Sequence, residues 1–331
     1  MKISAAFPPI PETPEHIELA ERLGYETAWV YDTPALQLDV WMILALAAMR
    51  TKKIKLGPGV LIPSLRHPMV TASAIATLVS LVGQDRVVVG AGTGFTGRRA
   101  MGQKPLKWAE FPEMVRDVQS LLRGETVEHE GQPISMLHWE GHAPNLPIEV
   151  PWTLGVNGPR GLAVAAAMNH GVFTSRPRPD ADYSQLRDVV LLTSGTVMDE
   201  GETVNSQRVI ETAGPWVSVA YHAFLEQKDQ RLTSMPNAEK FIELVGQVPE
   251  EEQHLHVHAG HLTNMNAIDR EVITGESMFA SPFTLPANDV AVKINEFANQ
   301  GVTEIAFQPM GDIERELRAF ALASGISKVQ Q

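Results

Sequence analysis

Short apolar runs alternate with longer segments of helical periodicity along the first 175 residues, and this alternation limits the possible folds most strongly. The apolar runs are continuous, which is typical of strands in a sheet covered on both faces. Strands are predicted at 2–7, 27–31, 53–60, 86–91, 151–156 and 171–174, and helices at 12–24, 39–49, 67–82 and 111–122. Strands that alternate with helices in this way build parallel βα units.

The second half departs from this rhythm. A strand is predicted at 187–198, a mostly helical and polar-rich segment at 204–273, a last strand at 301–309 and a closing helix at 312–323. Seven strands before the helical segment and one after it predict a (β/α)8 TIM barrel, whose active site lies at the carboxyl ends of the strands. We expect one domain over 1–331 with an insertion at about 198–285; a doubly wound open sheet is the alternative.

Charge and composition exclude several functions. A net charge of −12 argues against a nucleic-acid partner, and the absence of cysteine excludes disulfides and thiolate chemistry. No window approaches the roughly 20 apolar residues of a membrane span, and the first residues lack the apolar core of a signal peptide. We therefore expect a cytoplasmic protein with no membrane partner. Basic residues gather only at Arg98, Arg99, Lys104 and Lys107, enough for a small anion site.

The third predicted strand is interrupted by Gly57-Pro58-Gly59. Proline removes a ladder donor and glycine weakens pairing, so the interruption needs a reason. At the carboxyl end of a barrel strand, such a sequence lets the backbone bulge toward the mouth, where a flat ligand can approach main-chain atoms. A simple bend is the alternative interpretation.

Five segments together resemble the luciferase-like monooxygenase superfamily of flavin- and deazaflavin-dependent oxidoreductases. They are "LGYETAWVYD", "AAMRTKKIKLGPGV", "RHP", "GQDRVVVGAGTG" and "GVNGPRGLAVAA". The resemblance covers roughly residues 1 to 175 well and 286 to 325 moderately. It implies a barrel in which the cofactor ring leans on a bulge in strand three, often with a non-proline cis peptide, which would fall here on Gly59 and Val60.

Two glycine-rich blocks are candidates for the rest of the cofactor site. In "GAGTGFTGRRAMG" (90–102), which contains Gly92, the resemblance places Arg99 on the cofactor phosphate and the hydroxyl of Thr93 near the ring. In "GVNGPRGLAVAAA" (155–167), Asn157, Gly158 and Gly161 would lie at a helix N-terminus, whose free amides favour an anion. Without the resemblance, the first block could be an ordinary loop and the second block an ordinary helix start.

Candidates for catalysis and substrate binding are less specific. Asp32 ends strand two, where the family usually keeps an acid or a histidine, although it could merely cap a turn. Tyr221 and His222 are further catalytic candidates, and Trp41 and Trp216 could line a pocket for a small, moderately hydrophobic organic substrate. An amphipathic helix that buries its aromatic side chains is the alternative for the later group.

The histidine run "HLHVHAGHL" (254–262) stands apart. On a strand, His254, His256 and His258 would share one face and could ligate zinc. No carboxylate-rich run accompanies them, so we predict no metal site and leave substrate-pocket and structural roles open.

The chemistry has several candidates. We favour hydride transfer between the deazaflavin coenzyme F420 and an organic substrate, because 96–131 resembles the deazaflavin-using branch and the basic cluster could receive a phosphate with an acidic glutamyl tail. An FMN-dependent monooxygenase that uses reduced flavin and oxygen is the main alternative. A metal-dependent hydrolase and a cofactor-free binding relative are less favoured. The resemblance also implies a homodimer, for which the apolar helix 39–49 offers a contact face.

Overall fold

The computed structural model describes residues 1–178, 181–183 and 186–327. Eight parallel strands within these ranges form one sheet in the order β3-β2-β1-β8-β7-β6-β5-β4. They are β1 (Lys2–Phe7), β2 (Thr27–Val30), β3 (Lys55–Pro58), β4 (Val89–Gly92), β5 (Trp152–Gly155), β6 (Gly171–Thr174), β7 (Val189–Ser194) and β8 (Glu304–Gln308). Parallel bridges from Leu56 to Val87 and from Leu61 to Ala91 join the two outermost strands and nearly close the barrel. The TIM barrel is confirmed and the open sheet is wrong.

Helices follow the strands, most of them on the outside of the barrel and four of them in the insertion before the last strand. They are α1 (Thr13–Leu23), α2 (Val40–Arg50), α3 (Pro68–Val82), α4 (Phe95–Arg99), α5 (Phe111–Leu122), α6 (Pro159–Ala167), α7 (Gln207–Glu226), α8 (Ala238–Gly246), α9 (Gln253–His258), α10 (Ala267–Val272), α11 (Ala287–Asn299) and α12 (Ile313–Ala323). Local chemistry sets several of their ends: Asp39 caps α2 by accepting from the amides of Trp41 and Met42, and Gly24 ends α1 in the left-handed region. In the part of the chain that the structure describes, no helix is long and apolar enough to cross a bilayer.

The long, mostly helical insertion before the last strand is confirmed, and its two ends meet. Val197–Met198 pairs in parallel with Leu285–Pro286, so the chain leaves the barrel and returns to it at neighbouring positions. Helices α7 to α10 lie between these pairs and share a separate apolar core that includes Val217, Phe241 and Val245. The segment therefore has a core of its own, and it also contacts the barrel, where Leu262 packs against the apolar cluster that includes Trp29.

The interruption in β3 is explained by close approach between strands. A Cβ on Gly57 would lie 1.8 Å from the carbonyl oxygen of Val88, and one on Gly59 would lie 2.7 Å from Cβ of Trp29. Both missing side chains therefore make room for protein atoms. Gly57 permits the seam between β3 and β4 to close, and Gly59 leaves room for Trp29 of β2. The expectation that the backbone at Gly59 is open to a ligand stays a prediction.

A buried carboxyl lies inside the barrel at the start of β8. Glu304 accepts a 2.9 Å hydrogen bond from Nε1 of Trp29, which belongs to the apolar cluster inside the barrel. Burial raises the pKa of Glu304, although the bond from Trp29 and the charge of Lys2 act in the opposite direction. The folded protein therefore holds this proton to a higher pH than the unfolded chain does.

We expect Glu304→Gln to stabilise the protein at about pH 8 and to change it little near pH 4.5, the ordinary pKa of glutamate. As pH rises through the unfolded and then the folded pKa, the wild type loses stability, because the unfolded state ionises more readily; glutamine does not titrate. Thermal unfolding at both pH values measures the difference. A variant that is less stable than the wild type at pH 8 would contradict a raised pKa.

Candidate functional site

A cavity opens at the carboxyl ends of the strands, where a TIM barrel places its active site. It encloses about 220 Å³ and is walled by the ends of β2 to β7, by the start of α4 and by one turn of the insertion. Its lining includes Tyr31, Asp32, Gly59, Val60, Gly92, Thr93, Thr96, Gly155, Asn157, Phe173, Ser175, Leu192, His261 and Leu262. Most of these side chains are apolar or small, with a few polar groups at the rim.

The floor of the cavity is built by Val60 and two glycines. The Gly59–Val60 peptide is cis, as the resemblance implies. A Cβ on Gly92 would lie 2.6 Å from Cγ2 of Val60, and one on Gly155 would lie 3.2 Å from the same atom. The ends of β4 and β5 therefore carry no side chains where Val60 packs, and the three residues form a continuous apolar floor.

Asp32 lies at the cavity wall in a buried ion pair. Its carboxylate is 2.8 Å from Nη1 of Arg66 and accepts a 3.1 Å hydrogen bond from the amide of Ile62. Arg66 also contacts Asp39, at 2.8 Å. Burial raises the pKa of Asp32, although the contact with Arg66 acts in the opposite direction. For Asp39, burial also acts to raise the pKa, but Arg66 and the amides at the start of α2 outweigh it, so the pKa of Asp39 is lowered. These contacts hold the chain that follows the cis peptide; a catalytic role for Asp32 stays a prediction.

Asn157 lies at the rim, after β5. Its Oδ1 accepts from the hydroxyl of Thr174 at 2.9 Å and from the amide of Ser175 at 3.0 Å. The carboxamide of this exposed residue is thereby oriented, which leaves Nδ2 as a donor for a ligand. Gly158 begins α6 with open space around it, but Gly161 packs against Trp108, where a Cβ would lie 2.7 Å from Cζ2. The structure therefore gives Gly161 a packing role and does not place it on the cavity wall.

Arg99 does not line the cavity. Its Nε is 3.1 Å from Oε2 of Glu226 in the insertion, and its guanidinium lies 5.0 Å from the centre of the Phe95 ring. Arg98 donates to Ser64 at 2.7 Å, and Lys107 pairs with Glu110 at 3.1 Å. The predicted basic cluster is thus largely engaged with protein groups, and its role as a phosphate site stays a prediction.

The structure separates three aromatic candidates from the cavity. Trp41 packs on the outer core from α2, and Trp216 is half-buried in α7, outside the cavity lining. The hydroxyl of Tyr221 donates to the carbonyl of Pro236 at 2.7 Å, and its ring belongs to the core of the insertion. The alternative of an amphipathic helix that buries its aromatic residues is the better description of this region.

The insertion reaches the cavity through two residues that the sequence analysis did not select. His261 and Leu262 line the wall, and Nε2 of His261 is 3.3 Å from Oγ1 of Thr96. Burial, together with His222 and His258, lowers the pKa of His261 well below its usual range. The histidine run was the available signal. Residues 253–258 form helix α9, in keeping with the mostly helical segment predicted there, so His254, His256 and His258 do not share the strand face considered for a zinc site.

Gln308 connects the insertion to the barrel wall. Tyr31 donates to Oε1 of Gln308 at 2.6 Å, and Nε2 of Gln308 donates to the carbonyl of Leu262. Burial raises the pKa of Tyr31 well above its ordinary value, so its hydroxyl stays protonated and remains the donor.

His222, a catalytic candidate, lies outside the cavity lining. It lies beside His261, and the centres of the two rings are 5.8 Å apart.

Comparison with known proteins gives consistent matches. The sequence model of the luciferase-like monooxygenase family matches residues 2–190. A 5,10-methylenetetrahydromethanopterin reductase of Archaeoglobus fulgidus is 31% identical over 196 residues, which span 57% of this chain and 57% of that protein. The Methanopyrus kandleri reductase of the same name is 27% identical over 334 residues, 89% of this chain and 88% of its own.

The fold also matches solved structures. The coenzyme F420 dependent tetrahydromethanopterin reductase of Methanopyrus kandleri superposes with a TM-score of 0.65 at 21% identity, covering 97% of this chain and 98% of that one. This similarity establishes the shared barrel architecture.

Proposed function

The chain belongs to the luciferase-like monooxygenase family, and from this premise we propose that it is an oxidoreductase that transfers hydride between coenzyme F420 and a small organic substrate. The observation that carries the proposal is the apolar floor of Val60, Gly92 and Gly155 at the carboxyl ends of the barrel strands. Relatives named as methylenetetrahydromethanopterin reductases and F420-dependent glucose-6-phosphate dehydrogenases support the deazaflavin.

The residues of the cavity fit such a cofactor. Gly92 and Gly155 leave the room in which the side chain of Val60 packs, and all three residues line the cavity, so a flat ring would rest on Val60. Tyr31 and Phe173 line the same space with apolar surface, which favours a heterocycle over water. When bound, the deazaflavin supplies hydride chemistry at its central ring carbon, and the protein supplies orientation and electrostatics.

Polar groups at the rim would hold the cofactor's phosphate. The Nδ2 of Asn157 is a donor whose direction is set by the bonds from Thr174 and Ser175 to Oδ1. The hydroxyl of Thr93 lines the same cavity. Asp32 acts through Arg66 and Ile62 on the segment that follows Val60, so we assign it a positioning role.

The test is a titration of the purified protein with coenzyme F420 and with FMN, followed by fluorescence and calorimetry. We expect saturable binding of F420 at one site per chain and markedly weaker binding of FMN. If FMN binds as tightly as F420, the reduced-flavin monooxygenase is the correct assignment. If neither binds, the oxidoreductase proposal is wrong.

Replacing Asn157 with aspartate tests the phosphate contact. Aspartate keeps an oxygen for Thr174 and Ser175 but replaces the Nδ2 donor with an anionic oxygen. Loss of a hydrogen bond to a charged group is expected to weaken F420 binding by about 1.5–3 kcal/mol, or more with the added repulsion. Asn288→Asp, an equal change of charge at an exposed site on α11, is the control and should bind like the wild type.

We further propose a homodimer that forms through α2. Met42, Leu46 and Met49 are spaced along one side of this helix and are 71%, 55% and 76% exposed. A stripe of large apolar side chains on a helix surface is typical of an interface.

Leu46→Glu is expected to convert a dimer to a monomer, because it places a charge in the centre of the apolar stripe. Sedimentation equilibrium measures the change. Leu322→Glu, at an equally exposed leucine on α12, should leave the dimer intact. A wild type that sediments as a monomer refutes this assembly.

A further inference from the structure

Three histidines meet where the insertion contacts the mouth of the barrel. His222 comes from α7, His258 from the end of α9 and His261 from the following turn, and each is buried. Each offers a ring nitrogen within 4.8 Å of those of the other two. Their ring centres are 5.3 to 6.1 Å apart, so the three rings surround one point.

The partners of the outer nitrogens determine where the protons lie. Nε2 of His222 is 2.8 Å from Oδ1 of Asp269, and Nε2 of His258 is 2.6 Å from Oε1 of Glu226. An ionised carboxylate only accepts, so in the neutral form of either ring Nε2 carries the proton and Nδ1 keeps a free lone pair for a ligand. His261 makes its contact through Nε2 as well, to the hydroxyl of Thr96 at 3.3 Å.

The Nδ1 atoms of all three rings are buried and have no hydrogen-bond partner among the described residues. A buried acceptor without a partner costs about 1–3 kcal/mol, and most such groups in proteins are satisfied. Three neighbouring histidines that each bury such an Nδ1 atom are therefore a specific feature, which folding alone does not explain. A ligand that accepts three lone pairs at once would satisfy all three.

We propose that His222, His258 and His261 bind one divalent transition-metal ion of the zinc class through their Nδ1 atoms. Imidazole nitrogen is a preferred ligand of zinc at about 2.0–2.1 Å, and three protein ligands leave a fourth position open. The three rings must move toward one another by roughly 1 Å before all three nitrogens lie at that distance from one ion. Asp269 and Glu226 supply the carboxylates that commonly accept the other ring proton of metal-bound histidines.

The proposed metal site and the cavity share one residue, His261. His261 both lines the cavity wall and belongs to the histidine cluster. Phe241 stacks on the ring of His222, with centres 6.1 Å apart, and closes the side that faces the core of the insertion. The ion would therefore fix the turn that carries His261 and Leu262 against the barrel mouth. This inference does not depend on which cofactor the cavity binds.

The test is a titration of the chelator-treated, full-length protein with Co²⁺, followed by visible absorption, with Zn²⁺ as competitor. We expect one equivalent of Co²⁺ to bind with the ligand-field bands of a low-coordinate nitrogen site and to be displaced by Zn²⁺. His258→Ala should lose this signal, and Asp269→Asn should weaken affinity about 10- to 100-fold. His256→Ala is the matched control, because His256 lies exposed on the same helix.

Two results would overturn the inference without any variant. One is a wild type that binds no stoichiometric Co²⁺ or Zn²⁺ while its circular dichroism is that of a folded protein. The other is a crystal soaked in Co²⁺ that shows ordered water, and no anomalous peak, among the three Nδ1 atoms. Equal loss of binding in His256→Ala would likewise assign the metal to the exposed histidines.

Discussion

Replacing Gly57 with alanine is expected to prevent stable folding of the barrel. The new Cβ would lie 1.8 Å from the carbonyl oxygen of Val88 and 3.0 Å from its Cγ2. Backbone cannot move aside by a change of rotamer, so relief requires separation of β3 from β4. We expect a loss of at least about 3 kcal/mol, at or above the upper end of ordinary overpacking.

Chemical denaturation and soluble yield measure this effect. Gly246→Ala is the matched control, since that glycine ends α8 with nothing within 4 Å of an added Cβ. In a helix, alanine is favoured over glycine by about 0.5–1 kcal/mol, so the control should be neutral or stabilising. Equal stability of both variants would show that the seam between β3 and β4 tolerates a gap.

Replacing Arg66 with methionine is expected to cost about 3–5 kcal/mol, the usual effect of leaving one partner of a buried ion pair without the other. The Asp32 side chain is fully buried, and its carboxylate would retain only the amide of Ile62 among the partners described here. Burial already raises the pKa of Asp32, and removal of Arg66 raises that pKa further.

The loss should therefore depend on pH. Without Arg66, folding requires Asp32 to take up a proton that the unfolded chain releases at low pH, so the variant loses stability as pH rises above the ordinary pKa of aspartate. Denaturation at about pH 5 and pH 8 should show the larger deficit at pH 8. The double variant Asp32→Asn with Arg66→Met should recover part of it.

An exposed ion pair provides the control for this experiment. Arg318 contacts Glu314 at 2.7 Å on α12, with both side chains more than half exposed. Arg318→Ala is expected to change stability by less than about 1 kcal/mol at either pH. A loss in Arg66→Met no larger than this would mean that Asp32 is not an ionised, buried partner.

Much of the barrel was predictable because its signals are local. Continuous apolar runs located all eight strands to within a few residues, and glycine and proline marked where β3 stops pairing. The resemblance located the cis peptide at Gly59 and Val60. Side-chain periodicity and turn chemistry act over a few residues, so they can be recognised without knowledge of the fold.

Predictions that depended on which face of a helix is covered were weaker. Trp41 and Tyr221 have the chemistry of a pocket, yet one packs on the outer core and the other inside the insertion. The histidine run gave no indication of which of its members are buried, and helix α9 places His258 beside His222 and leaves His256 exposed. These outcomes depend on contacts between distant segments, which local sequence does not encode.

The amino-acid sequence by itself determined the eight strands, the helices between the early strands, the break after β3 and the presence of a long helical segment before the last strand, because hydrophobic periodicity and backbone restrictions are properties of neighbouring residues. Tertiary structure alone decided that Gly57 serves the seam beside Val88 and that His261 reaches the cavity. It also brought together three histidines, each of which has a buried Nδ1 without a hydrogen-bond partner in the part of the chain that the structure describes. Burial and proximity are set by the packing of whole elements, and only the closed barrel with its insertion in place defines them.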